Sequence, residues 1–251
     1  MISLRATGAV FPLIILLSGC ATNPQNAQDP YEDINRAVYK FNRGADKIIL
    51  KPIAEGYDYI LPELIKDGIS NFFGNIEDVT TVANDLLQGK ISEAGKDTSR
   101  VIINTTVGIG GLFDVAGLAG IKKGNEDFSQ TLGVWGVGQG PYIMVPFLGP
   151  STLRGITGLG VDSALFSATN EIDHVPTRLT LTGVDVIETR VGLLPLESTL
   201  EDAIDEYAFV RGAYLQREEF KLYDGNVPLP DDEDEFWDDE CEEEEDCEEE
   251  I

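Results

Sequence analysis

Three sets of residues in this 251-residue chain have the type and spacing to do chemistry: a cysteine behind an apolar run, a lone histidine, and a string of alternating glycines. Leu17-Ser18-Gly19-Cys20 closes the apolar run from Ala9 to Leu17, with Arg5 ahead of it. That order is a lipobox pattern, in which residues 1–19 are removed as a signal peptide and the thiol of Cys20 carries acyl chains. The run is too short to cross a bilayer as a stop-transfer helix. Two or more acyl chains, at ~0.8 kcal/mol per buried CH₂, make a lasting anchor where one chain is marginal.

Catalysis finds little support. His174 is the only histidine. It lies in Glu171-Ile172-Asp173-His174-Val175-Pro176, and neither a Gly-x-Ser-x-Gly elbow nor a metal-spaced histidine pair accompanies it. A solvated loop histidine is the expectation. Gly136, Gly138 and Gly140 resemble a phosphate loop only in part: no strand precedes them, no Lys-Ser/Thr comes after, and Pro141 lacks a backbone donor. Cys241 and Cys247 stand in an acidic tail, where an incidental disulfide in a solubilising segment is the simpler reading than loose Ca²⁺ or Zn²⁺ uptake. No catalytic residue, metal or cofactor is expected, and the chain reads as a non-enzyme.

The net charge of −27 is unevenly spread, since residues 231–251 hold 16 Asp and Glu and no Lys or Arg. A run so dense in like charge cannot offset its ordering entropy by burial, so the tail is expected to be disordered. Nucleic acid is disfavoured as a partner. The expected organisation is a signal peptide (1–19), a lipidated linker (20–28), one helical domain (29–226) and the acidic tail (227–251), with Pro228 and Pro230 as a hinge.

The elements that must carry any function read as helices. Asp29, Pro30 and Glu32 suggest an N-cap, a first-turn proline and a capping box, followed by Ile34, Ala37, Val38, Phe41, Ala45 and Ile48 at helical spacing. Pro52 and Pro62 punctuate the next two segments. A stripe from Leu64 to Ile76, a further helix from about Glu77 ending at a Gly89 cap, and a helix capped by Ser92 come next. Helical patterns resume from Ser151, from Pro176 to Val191, and from about Ser198 to Leu222. No period-2 strand set stands out, so the expected class is all-α.

Two segments interrupt this pattern. Residues 107–120, VGIGGLFDVAGLAG, hold five glycines and one charge, Asp114. Glycine at this density weakens a helix by ~1 kcal/mol per residue, so packing or a membrane must supply the order. Residues 133–149 are uncharged, and the apolar stretch from Tyr142 to Pro150 is too short to span a bilayer but long enough to dip into one leaflet.

Further blocks occur in order: Asp29-Pro30 to Asn35-Arg36, Asn71-Phe72-Phe73-Gly74-Asn75, Asn84-Asp85-Leu86-Leu87-Gln88-Gly89, and Arg100 with the run Ile103 to Gly111. Asp127 to Gly133, Gly140-Pro141-Tyr142, Pro146, Gly149 to Arg154, Tyr207, Arg211 and Tyr214-Leu215 complete the set. Across residues 29–223, and behind a lipobox, the chain resembles the MlaA/VacJ lipoprotein family. Ser129 stands where the family usually has glycine, and the tail has no counterpart. Ala21 differs from the Asp that resembles an inner-membrane retention signal, which implies the outer membrane as destination.

The resemblance implies a ring-like helical domain in one membrane leaflet, lipid-anchored on the periplasmic side of the outer membrane. It implies an amphipathic channel through which misplaced phospholipids leave the outer leaflet for a soluble periplasmic carrier of the MlaC type, with trimeric porins holding the ring. A wet channel wants small and polar groups on one face, which nominates Phe41, Asn42, Gly108, Gly110, Gly111 and Asp114. The same glycines equally suit close helix packing. A structural lipoprotein without transport and a phospholipase are the alternative functions; the first needs no uncharged apolar segments, and the second needs a nucleophile, base and orienter that the residues do not supply.

Overall fold

The structure, a computed structural model, describes residues 28–166 and 174–228. The lipobox with Cys20, the linker up to residue 27, and the tail with Cys241 and Cys247 lie outside the described residues. Helix α1 (Glu32–Ala45) runs through a π-helical turn (Asp46–Leu50) into α2 (Lys51–Ile60). The wide turn has a local cause: Pro52 has no N–H to donate, and the Lys51 amide reaches back to the Asp46 carbonyl. Leu61, extended before Pro62, ends the rod.

Helices α3 (Glu63–Gln88) and α4 (Ile91–Thr106) form an antiparallel hairpin. Gly89 closes α3 in the left-handed region at φ 77°, as its position suggested, with the Lys90 amide bonded to Asp85 O at 2.8 Å. The Gly-rich segment contains the short helix α5 (Val115–Leu118) and is followed by α6 (Phe128–Val134), then strands β1 (Tyr142–Val145) and β2 (Gly149–Thr152). The strands pair antiparallel, Tyr142 with Thr152 and Val145 with Gly149. The chain continues through α7 (Leu153–Val161), a π-helical turn (Asp162–Phe166), α8 (Val175–Gly192), a 3₁₀ turn (Leu194–Leu196), α9 (Glu197–Glu201) and α10 (Glu206–Leu222).

The all-α class holds with that ribbon added, and several local expectations are corrected. Asp29 does not cap α1; Tyr31 occupies that place, and the Asp29 carboxylate is wholly buried, accepting from Asn35, Tyr207 and Arg211. The stripe from Leu64 and the helix from Glu77 are one continuous α3. Lys90, not Ser92, precedes α4. Ser151 lies in β2, and the next helix begins after Thr152, whose hydroxyl accepts from the Gly155 amide at 3.0 Å. The final helix is interrupted, and Asp205 restarts it by accepting from the Ala208 amide at 3.1 Å.

A small aromatic core holds the ribbon to the ends of the chain: Tyr142, Met144 and Tyr207 are buried against Val38, Tyr39 and Tyr214. Ion pairs do the rest of the fastening. Arg36 grips Asp205 with two bonds of 3.0 and 2.7 Å, and Arg43 and Arg190 flank Glu197 at 2.6 and 2.7 Å. Forked guanidinium–carboxylate pairs fix orientation as well as distance, so α1 is locked to α8, α9 and α10.

Candidate functional site

Burial in this molecule runs opposite to the usual pattern. Among the described residues the buried set is mostly polar or charged, including Asn35, Asp78, Thr81, Asn84, Asp85, Asp97, Arg100 and Asn104. Large apolar side chains lie outside: Ile48 is 78% exposed, Tyr59 91% and Leu118 88%. On α1 Ile34 and Phe41 face out and the buried residue is Asn35, while Val38 of the same stripe packs on the aromatic core. In water such exposed apolar area marks an interaction or membrane surface.

The inward face of α3 organises the polar interior. Asn84 donates to Asp162 at 2.9 Å and accepts from the Thr131 hydroxyl at 2.8 Å, while Asp162 also accepts the Phe128 amide at 2.8 Å. Arg100 on α4 reaches Asp78 at 3.3 Å, Ile121 O at 2.6 Å and Asp114 at 3.0 Å. Asp114 is therefore a hub, accepting also from Asn104 and the Gly117 amide, each at 2.9 Å. Although burial alone would raise its pKa, the Gly117 amide, Asn104 and Arg100 hold the Asp114 carboxyl below the usual carboxylate range.

This hub shapes the first half of the Gly-rich segment, residues 107–114, which is a tight loop rather than a helix. Ile109, Gly110 and Gly111 all have positive φ, at 53°, 71° and 89°. A Cβ on Gly108 would lie 2.2 Å from Phe113 O, so that glycine permits a close approach of backbone to backbone. Gly111 packs on Asn75, where a Cβ would come within 2.8 Å of that side chain, whereas Gly110 has open space around it. The loop's apolar side chains turn outward, with Ile109 66% and Phe113 46% exposed.

Phe41 and Asn42 belong to a second locus. The Phe41 ring meets the exposed Phe147 ring edge-on at 5.1 Å, and Asn42 binds both Val145 O and the Phe147 amide at 2.9 Å. The six nominated channel residues thus fall into two groups: Phe41 and Asn42 at the ribbon's turn, and Gly108, Gly110, Gly111 and Asp114 beside the α3–α4 hairpin.

His174 and Ser129 each have a place in the fold. His174 caps α8, its Nδ1 accepting from the Thr177 amide at 3.3 Å. Ser129 is buried, with its backbone so close to Gly158 that a Cβ there would lie 2.4 Å away. Among the described residues no group of three or more His, Cys, Asp or Glu could hold a metal, and no helix is long and apolar enough to cross a membrane.

One feature escaped the sequence pattern: a charged cleft of about 730 Å³ between the α3–α4 hairpin and residues 120–126. Asp85, Lys90, Asp97, Lys123 and Glu126 contribute to its wall. The spacing of Asp85 and Asp97 looks like that of any solvated helical carboxylate, and only the hairpin register reveals that both turn inward.

The family model described as MlaA lipoprotein matches residues 27–221. The chain is 38% identical over 219 residues to the intermembrane phospholipid transport system lipoprotein MlaA of Shigella flexneri, covering 84% of this chain and 86% of the relative. It is 37% identical to the protein of that name from Escherichia coli strain K12, with the same coverage. The corresponding Haemophilus influenzae lipoprotein is 33% identical, covering 87% and 92% of the two chains. A solved structure from work on the "structural basis for maintenance of bacterial outer membrane lipid asymmetry" superposes with a TM-score of 0.69 at 36% identity, covering 77% of this chain and 98% of the other.

Proposed function

The chain belongs to the MlaA lipoprotein family, and from that premise we propose that it removes misplaced phospholipids from the outer leaflet of the outer membrane and maintains lipid asymmetry. The inverted distribution of polarity carries this reading. A body with charged and amide groups inside and Ile48, Ile49, Ile53, Tyr59, Ile60 and Leu64 outside suits a ring seated in one leaflet: lipid tails wet the outer wall, and a polar interior admits a head group.

In this reading residues 29–226 form the transporting body, anchored through Cys20 and the linker 20–28 on the periplasmic side, with 227–251 as an acidic appendage. The lipid enters at the leaflet, passes the polar interior chemically unchanged, and is handed to a soluble carrier of the MlaC type, while trimeric porins hold the body in place. Phe41 and Asn42 border the path at the ribbon, and Gly108, Gly110, Gly111 and Asp114 border it at the loop. Asp114 contributes by shaping the loop, because its oxygen is occupied by Arg100, Asn104 and Gly117. No enzymatic step is required, and the packing of Ser129 against Gly158 supports a non-catalytic role.

The test is genetic. Deleting the gene should raise surface-exposed phospholipid, and the wild-type chain but not Cys20→Ala should restore the original level. Unchanged exposure on deletion would favour a structural lipoprotein instead.

A further inference from the structure

The α3–α4 hairpin carries two carboxylates that the proposed lipid path does not use. Asp85 lies one turn before the Gly89 cap, and Asp97 lies nearly two turns into α4; they are only 1% and 2% exposed. Both line the inner wall of the charged cleft, close enough for the charge of Asp97 to act on Asp85. Neither Asp85 oxygen receives a hydrogen bond from a protein donor. Asp97 accepts one, from the Gly124 amide at 3.1 Å, and sits so tightly beneath it that a Cβ on Gly124 would lie 2.4 Å from Asp97 Oδ2. Asp97 is thus one of the tethers of the loop 119–127, one wall of the charged cleft, beside Arg100 on Ile121 O at 2.6 Å and Gln88 and Lys90 on Glu126 at 2.8 and 3.0 Å.

Two buried carboxylates in contact cannot both stay ionised without a counter-charge. The charged groups facing the pair come from every neighbouring element: Asp78 from α3, Glu126 from the loop, and Lys90 from the hairpin turn. Lys90 is drawn away from the pair by Glu126 at 3.0 Å and Asp224 at 2.7 Å. Lys123 is paired with Glu77 at 2.7 Å and lies 3.7 Å from Asp78, which Arg100 also holds at 3.3 Å; Lys96 is paired with Glu93 at 2.7 Å, and Lys122 also lines the cleft. Burial first, then the charge and hydrogen bond of Asp97 and the charge of Glu126, outweigh Lys90 and push the Asp85 carboxyl up to about 7.

We propose that Asp85 and Asp97 share one proton, and that this shared proton latches the loop 119–127 against the α3–α4 hairpin, closing one wall of the charged cleft. Losing the proton sets two negative charges against each other and withdraws Asp97 from Gly124. Because the folded state holds the proton more tightly than the unfolded chain, the contribution is full at acidic pH and is lost as pH rises from the unfolded value of about 4 through about 7.

Hydrogen–deuterium exchange of the purified full chain, corrected for intrinsic rates, tests this. Protection of peptides covering 119–127 should fall by up to about tenfold per pH unit between about pH 4 and about pH 7 and level off above that, while the ribbon 142–152 stays unchanged. In Asp85→Asn the amide donates to Asp97 without titrating, so protection of the loop should be flat over the same range. A flat wild-type profile, or an equal slope in Asp85→Asn, overturns the latch. Infrared spectroscopy of the wild type gives a readout that needs no variant: a protonated carboxyl band present at about pH 6 and lost by about pH 8 is expected, and its absence at the lower pH contradicts the proposal. Loop protection at the higher pH that appears only with added calcium would also overturn it, assigning the pair to a cation.

Discussion

Asn35 and Asn42 stand two turns apart on one face of α1, and each binds one carbonyl and one amide of the ribbon that crosses it. Asn35 takes Tyr142 O at 3.1 Å and the Met144 amide at 2.9 Å; Asn42 takes Val145 O and the Phe147 amide, both at 2.9 Å. The side-chain amides act as a surrogate edge strand, satisfying donors and acceptors that the two-stranded ribbon leaves open.

Removing the buried member should hurt more. Asn35→Ala also leaves Asp29 short of a donor and should cost about 2–3 kcal/mol, whereas the more exposed Asn42→Ala should cost about 1 kcal/mol. Denaturant unfolding of the two variants checks the order; equal losses would refute the bracing role assigned to burial.

How far the fold is readable in sequence depends on what each residue's neighbours decide. The Gly89 stop and the α8 span from Pro176 are legible because glycine and proline act locally. The Asp29 cap fails because a tertiary demand, the buried Tyr207 and Arg211, claims the carboxylate. The ribbon escapes notice because Tyr142 to Thr152 has two prolines and a continuous apolar run instead of alternation. The channel residues are nominated on small size and polarity, but size cannot distinguish Gly108, hemmed in by Phe113 O, from Gly110, which stands in open space.

Those glycines give the second prediction. Gly108→Ala forces a backbone clash and should destabilise by several kcal/mol, of order 2–3. Gly110→Ala should lose only ~1 kcal/mol, from its positive φ. Gly110→Leu, in contrast, should fold while slowing lipid transfer; wild-type transfer by that variant would move the channel wall away from the loop.

Arg100 provides the third. Truncation to Ala strands buried Asp78 and weakens the Asp114 hub, an effect of ~3–5 kcal/mol for a broken buried pair. Thermal unfolding should show Arg100→Ala as much less stable than wild type, with Arg100→Lys intermediate because one ammonium cannot reach Asp78, Ile121 O and Asp114 together.

The junction of α1 with the C-terminal helices sets the acid limit. Hydrogen bonds from Arg36 hold Asp205 at about 2. Burial works against ionisation of Glu197, but bonds from Arg43 and Arg190 prevail and hold it at about 2. Both carboxyls therefore contribute stability that is present above their unfolded values near 4 and is lost as pH falls toward about 2. Arg36→Gln should shift the acid unfolding midpoint upward; an unchanged midpoint would show the pair to be energetically silent.

The central claim, movement of intact phospholipid without chemistry, is tested most directly by following the lipid itself. Purified lipid-anchored protein in vesicles carrying labelled phospholipid would be mixed with a soluble periplasmic carrier, and both fractions analysed by mass spectrometry. Labelled phospholipid of unchanged mass should appear on the carrier, in amounts that depend on the protein. Release of lysophospholipid or free fatty acid, abolished by Ser129→Ala or Ser151→Ala, would contradict it.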